Sequence, residues 1–219
     1  MADLRRPNPE PAPGFPKIRQ APGMAREMLR DMAPLLAEEG IDLENVPDLE
    51  TLNRAMARAV ERRNLELFSP VGTTRDIAVA TLRLVVAAVL DGDTVRAAAL
   101  LDQVQPESPD SNVATVASCI GITLGLLDDW LSGQDTTAPT GLARQTRIPD
   151  GHWNGERAAA DILALATKGR AFRSLDKLLV RQGGPQVLSG SALTLAAVIF
   201  AWAQLTDTPP TTLIQILIR

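Results

Sequence analysis

The sequence predicts an all-α fold: a helical bundle built from two related three-helix units plus an N-terminal helical pair. Apolar residues recur three or four positions apart over most of the chain, as in Leu82, Val85, Val86, Val89 and Leu90. No segment alternates strongly enough to give a strand a partner, and Gly or Pro stands where each helical pattern stops. A length of 219 residues with 45% hydrophobic residues is enough to bury a core.

Residues 1–23 hold Pro7, Pro9, Pro11, Pro13, Pro16 and Pro22, a density that removes amide donors and blocks a helix, so they read as a disordered Pro-rich arm. Residues 24–219 read as a single all-α domain. Its N-terminal helices, 24–68, begin with Met28, Leu29, Met32, Leu35 and Leu36 on one face, interrupted by Pro34 and stopped at Gly40. Asp48 is placed to cap the next helix, in which Leu52, Met56 and Ala59 advance by three or four. A further helix is expected over 76–90, with Thr73 and Asp76 as a capping box.

The strongest organisational signal is an internal duplication. In the first unit, 73–131, a helix reaches Asp91-Gly92-Asp93, a second carries Val95, Ala98, Leu101 and Val104, and a long apolar helix spans 112–131. In the second, 156–219, a helix over 156–167 reaches Lys168-Gly169-Arg170, a second carries Phe172, Leu175, Leu178 and Leu179, and a long apolar helix spans 191–205 before a C-terminal helix. Aligning Gly92 with Gly169 pairs Val95 with Phe172 and Leu101 with Leu178, so the buried face is expected to repeat. Residues 132–155, rich in Gly and Pro, read as a long loop between the units.

Composition narrows the function. One histidine, His152, rules out chemistry that needs two imidazoles from this chain, and one cysteine, Cys119, cannot form an internal disulfide. No Tyr, three Trp and four Phe leave little for base-stacking platforms. Neither a P-loop nor a dinucleotide fingerprint is present, so no cofactor is expected. The adjacent Asp128 and Asp129 lack the third carboxylate one turn on that an aspartate-rich metal motif needs, and they read as a solvated helix end. Asp91-Gly92-Asp93 is explained by a C-cap and an N-cap, so no metal is expected there either.

Two groups of residues remain as candidate ligand or partner sites. In the loop, His152, Trp153 and Glu156 bring imidazole, indole and carboxylate together, the setting a general acid–base needs, but no nucleophile accompanies them, because Cys119 lies in an apolar helix. On the helices, Arg54, Arg58 and Arg62 fall four apart, and Arg170, Arg173, Lys177 and Arg181 fall three or four apart. Residues 1–143 carry 13 basic and 21 acidic side chains, net -8; residues 144–219 carry 9 and 5, net +4. Nucleic acid therefore has little support as a partner, since no strongly basic domain emerges.

The expected function is that of an all-helical binding or adaptor protein acting through protein–protein interaction, with no catalytic residue assigned. An enzyme or ligand-binding protein with its site in the 132–156 loop is one alternative, and a nucleic-acid-associated regulator using the arginine-lined helices is another. The chain is expected to be cytoplasmic and not inserted in a membrane: Arg5-Arg6 is followed by prolines where a secretion signal needs an apolar run, and the apolar stretches fall short of the roughly 20 residues of a spanning helix. A homodimer is expected as well, because Leu213, Ile214, Ile216, Leu217 and Ile218 leave the last helix almost no polar face.

Overall fold

A computed structural model describes residues 32–42, 48–106, 113–149 and 155–219. The arm over 1–23 lies outside the described residues. The chain divides into two compact units, Met1–Glu61 and Arg62–Arg219. Among the described residues the secondary structure is helical, with no strand and a single isolated parallel bridge between Gln105 and Thr115.

In the first unit a helix over 32–38, α1, contains Pro34 and ends at Gly40. The Ile41 amide donates back to the Leu36 carbonyl at 2.9 Å, the closing bond of a helix that turns away at glycine. Helix α2, Leu49–Phe68, starts where expected: Asp48 accepts from the Thr51 amide at 2.7 Å and from the Thr51 hydroxyl at 2.7 Å. Among its described side chains Ala55 and Ala59 are buried, with Leu52 and Met56 half-buried beside them.

The second unit holds α3 (Gly72–Leu90), α4 (Thr94–Asp102), α5 (Val116–Ser132), α6 (Leu142–Gln145) and α7 (Glu156–Ala166). A single 3-10 turn, Phe172–Ser174, then leads into α8 (Leu175–Gln182), α9 (Gly184–Thr206) and α10 (Pro210–Leu217). Helix α9 is the centre: it packs against α3, α5, α6, α7, α8 and α10, and every residue from Gly190 to Ile199 is buried. A helix apolar on all sides is stable in water only when neighbours cover it on all sides. At 23 residues it is also long and apolar enough to cross a membrane, which the shorter stretch read from the sequence was not. Here 83% of its most apolar window is buried inside the chain, so its apolar character is used in the core.

Several boundaries differ from the sequence expectation, each for a local reason. Helix α3 begins four residues early, with Val71 as its N-cap and no side-chain cap bond, so the Thr73/Asp76 capping box does not form. Helix α5 begins at Val116, because Thr115 accepts from the Ser118 amide while the Ser118 hydroxyl answers the Thr115 amide. Helix α9 begins at Gly184-Pro185, where proline needs no amide partner. In α4 the buried positions are Ala97 and, just beyond the helix, Val104, with Leu101 half-buried; Val95 is 79% exposed and Ala98 is exposed too. The expected α4 face is therefore rotated, since Ala97, Leu101 and Val104 have helical spacing as good as that of Val95, Ala98 and Leu101.

The turns after α3 and α7 are closed by the same bonds. Asp93 donates to the Ala88 carbonyl at 2.9 Å and Arg170 to the Leu165 carbonyl at 3.1 Å, around Gly92 at φ 73° and Gly169 at φ 61°. That left-handed backbone is why both positions are glycine.

The segment after α5, over its described residues 133–149, packs on the helices rather than looping free. Leu142 and Thr146 are buried, Asp135 accepts from the amide and hydroxyl of Thr137 at 2.8 and 2.7 Å, and α6 packs on α5 and α9. The C-terminal helix docks into its own chain, with Leu213 and Ile214 buried and Ile218 fully so just beyond its end. Arg83 of α3 donates to the carbonyls of Gln215 and Ile218, both at 3.0 Å, taking up acceptors that the end of α10 would otherwise leave open. Intramolecular docking thus covers Leu213, Ile214 and Ile218 of the apolar face that prompted the dimer expectation, while Leu217 is half-buried and Ile216 is 55% exposed.

Candidate functional site

The two arginine groups meet different surroundings. On α2, Arg54 lies 3.6 Å from Glu50 and Arg58 donates to Glu39 at 2.8 Å, while Arg62 is half-buried. On the second group, Arg181 is paired with Asp161, which also accepts from Gln182. Arg170, Arg173 and Lys177 are exposed and, among the described residues, form no ion pair. Lys168 extends the group, and Asp176 is the only acid within this stretch of α8 and its approach. Val180, 90% exposed, lies on the same outer side as Lys177 and Arg181.

Of the loop candidates, His152 and Trp153 lie outside the described residues. Glu156 is the first residue of α7, and it lines a polar cleft of about 410 Å³ together with Arg157, Arg181, Gln182 and Gln186. Two residues singled out from separate motifs, Glu156 and Arg181, therefore share one cavity wall. Asp161, one turn farther along α7, fixes Arg181 there.

Asp128 does not have the solvated position expected for the end of α5. Its Oδ1 accepts from the Ala171 amide at 2.8 Å and its Oδ2 from the Phe172 amide at 2.9 Å, so it caps the turn into α8 from 43 residues away. Burial pushes its carboxyl pKa up, the two amide bonds oppose that shift without reversing it, and the nearby Asp129 adds to it. Among the described residues no group of three or more His, Cys, Asp or Glu could hold a metal ion. Cys119 is buried and its thiol is pushed up to about 12 by desolvation, which makes it a core residue rather than a nucleophile.

Sequence reasoning missed two clefts that share Arg75, Leu126 and Asp129. The larger, about 500 Å³, lies between α5 and α10, with Trp130, Trp202 and Ile216 among its walls. The two indoles meet edge to face at 5.6 Å. The smaller, about 320 Å³, has Gly121 and Gly125 of α5 among its lining residues and Phe172 beside them. A Cβ on Gly121 would stand 1.7 Å from the Phe68 carbonyl oxygen, so that glycine admits the chain at close range; a Cβ on Gly125 would meet nothing within 4 Å. The signal available in the sequence was the Gly121-x-x-x-Gly125 pair inside an apolar helix, which intrinsic helix preference disfavours. No protein-family model, curated protein or solved structure matches this chain.

Proposed function

We propose that this protein is an all-helical binding or adaptor protein that docks an acidic segment of a partner protein on the outer face of α8 and the turn before it. The observation that carries this reading is the set of cations Lys168, Arg170, Arg173 and Lys177, exposed and without ion-pair partners among the described residues. Asp161 is engaged by Arg181 and Asp128 by backbone amides, and within the stretch 168–182 Asp176 is the one acid against these cations. Exposed cations of this kind set partner choice and association rate more than raw affinity. Val180 beside them offers an apolar contact.

The scaffold is proposed to be two related three-helix units, 73–131 and 156–219, whose stacking gives the extended surface that helical repeats use for binding. The identically bonded turns at Gly92 and Gly169 support this, while the paired positions Val95, exposed, and Phe172, half-buried, do not repeat in burial.

The test is partner capture with the full chain and with a triple variant, Arg170→Glu, Arg173→Glu and Lys177→Glu. A protein retained by the original chain should be lost by the variant, and its affinity should fall steeply as salt is raised. Equal retention by both would overturn the reading. Recovery of nucleic acid alone, with the same loss in the variant, would replace it with the regulator alternative.

A further inference from the structure

Arg181 is the member of the basic α8 face that the chain itself engages. Arg173, Lys177 and Arg181 follow at intervals of four along the exposed side of the helix and its approach. The first two project to solvent without ion-pair partners among the described residues. Arg181 instead donates through Nη2 to Asp161 of α7, and the side-chain amide of Gln182 donates to the same oxygen, Oδ2. Among the described residues Asp161 Oδ1 accepts no bond, and Nε and Nη1 of Arg181 donate none.

An arginine meets a carboxylate most strongly when two parallel N–H bonds reach both oxygens, and the pair with Asp161 uses one. The pair is also open to water, with the Arg181 side chain 57% and the Asp161 side chain 30% exposed, a setting in which an ion pair is held weakly and screened by salt. Helix α8 packs on α9 and on the 3-10 turn before it, with no comparable packing on α7. The link from Asp161 is made by side chains alone, while the buried Leu175 and Leu178 seat α8 in the core.

We propose that Asp161 is an internal stand-in for the acidic partner, occupying Arg181 and Gln182 until a partner carboxylate displaces it. This rests on the reading of α8 as the docking face for an acidic segment. It adds the contact at the end of that face, a guanidinium beside a carboxamide, which suits a carboxylate able to use both of its oxygens. The need to displace Asp161 makes docking weaker than the cations alone would give. It also favours partners whose acids are spaced one helical turn apart, so that they reach Lys177 and Arg181 together.

Fluorescence anisotropy of a dye-labelled hexaglutamate peptide, titrated with the full chain at low salt, tests this. The original chain should bind the peptide, and the triple variant Arg170→Glu, Arg173→Glu and Lys177→Glu should not. Asp161→Ala should bind about two- to fivefold tighter than the original chain, the range to which loss of one exposed ion pair converts. In an Arg181→Gln background the same replacement should change affinity little, because the cation it releases is gone. Absence of binding by both the original chain and Asp161→Ala would overturn the docking reading and this inference with it. Binding that is lost in the triple variant but no tighter in Asp161→Ala would overturn the stand-in alone. A gain that persists with Arg181→Gln would do the same, since it marks net charge acting at a distance. Asp161→Asn, which keeps the size of the side chain and removes its charge, gives the same comparison should Asp161→Ala lose its helical circular dichroism.

Discussion

Asp128 and Phe172 are joined across 44 residues by a hydrogen bond of 2.9 Å, from the Phe172 amide to the Asp128 carboxylate. The Ala171 amide reaches the other carboxylate oxygen at 2.8 Å. One side chain at the end of α5 thereby supplies acceptors to a turn that has no local cap: Ser174, the residue before α8, makes no side-chain cap bond.

Replacing Asp128 with alanine should lower unfolding free energy by about 1–3 kcal/mol, the cost of leaving partly buried amides without acceptors. Asp128→Asn, which keeps one carbonyl oxygen, should lose less, and Asp129→Asn should change stability little because Asp129 is exposed. Urea unfolding of the three variants measures the order. An Asp128→Ala protein as stable as the original would show that the cap contributes nothing.

The carboxyl of Asp128 is raised above 3.8 by burial, so its protonated form is favoured more in the folded chain than in the unfolded one. Its contribution to stability is therefore fully present below pH 3.8 and is lost as pH rises through the higher folded pKa. Asp48 and Asp135 act in the opposite sense. Hydrogen bonds from Thr51 and Thr137 hold them low, and their contribution is present above pH 3.8 and lost as pH falls through the lower folded values. Comparing the original chain with Asp128→Asn across acid pH isolates the first effect: the stability advantage of the original chain should shrink as pH rises above 3.8. An advantage that grows over that interval would reverse the assigned direction.

Gly121 and Gly125 should respond oppositely to the same substitution. Gly121→Ala places a methyl 1.7 Å from the Phe68 carbonyl oxygen, a backbone atom that cannot yield without moving the end of α2, and should be severely destabilising. Gly125→Ala meets nothing within 4 Å and should raise stability by about 0.5–1 kcal/mol through helix preference alone. Thermal unfolding of both variants gives the comparison. A destabilised Gly125→Ala would mean that the floor of the smaller cleft is already filled.

The sequence by itself determined the helical class and most helix stops, because periodicity, caps and glycine turns are local properties. Asp48 before α2, Gly92 and Gly169 after α3 and α7, and the burial of Cys119 were all readable from a few neighbouring residues. What a residue touches across the fold was not. Asp128 looked like one of two solvent-facing carboxylates, and only the arrival of the turn at Ala171 made it a cap. In α4 the side chains permit two helical faces, and packing on α3 selected Ala97 over Val95. The apolar C-terminal segment could have been covered by a second chain or by its own. Its own chain buries Leu213, Ile214 and Ile218, with Arg83 taking the carbonyls of Gln215 and Ile218 from 132 and 135 residues away, and leaves Ile216 exposed. The clefts around Arg75 and Asp129 join residues from α3 and α5 with the C-terminal segment, an arrangement that only tertiary packing can create, because periodicity orients each helix but does not choose its neighbour.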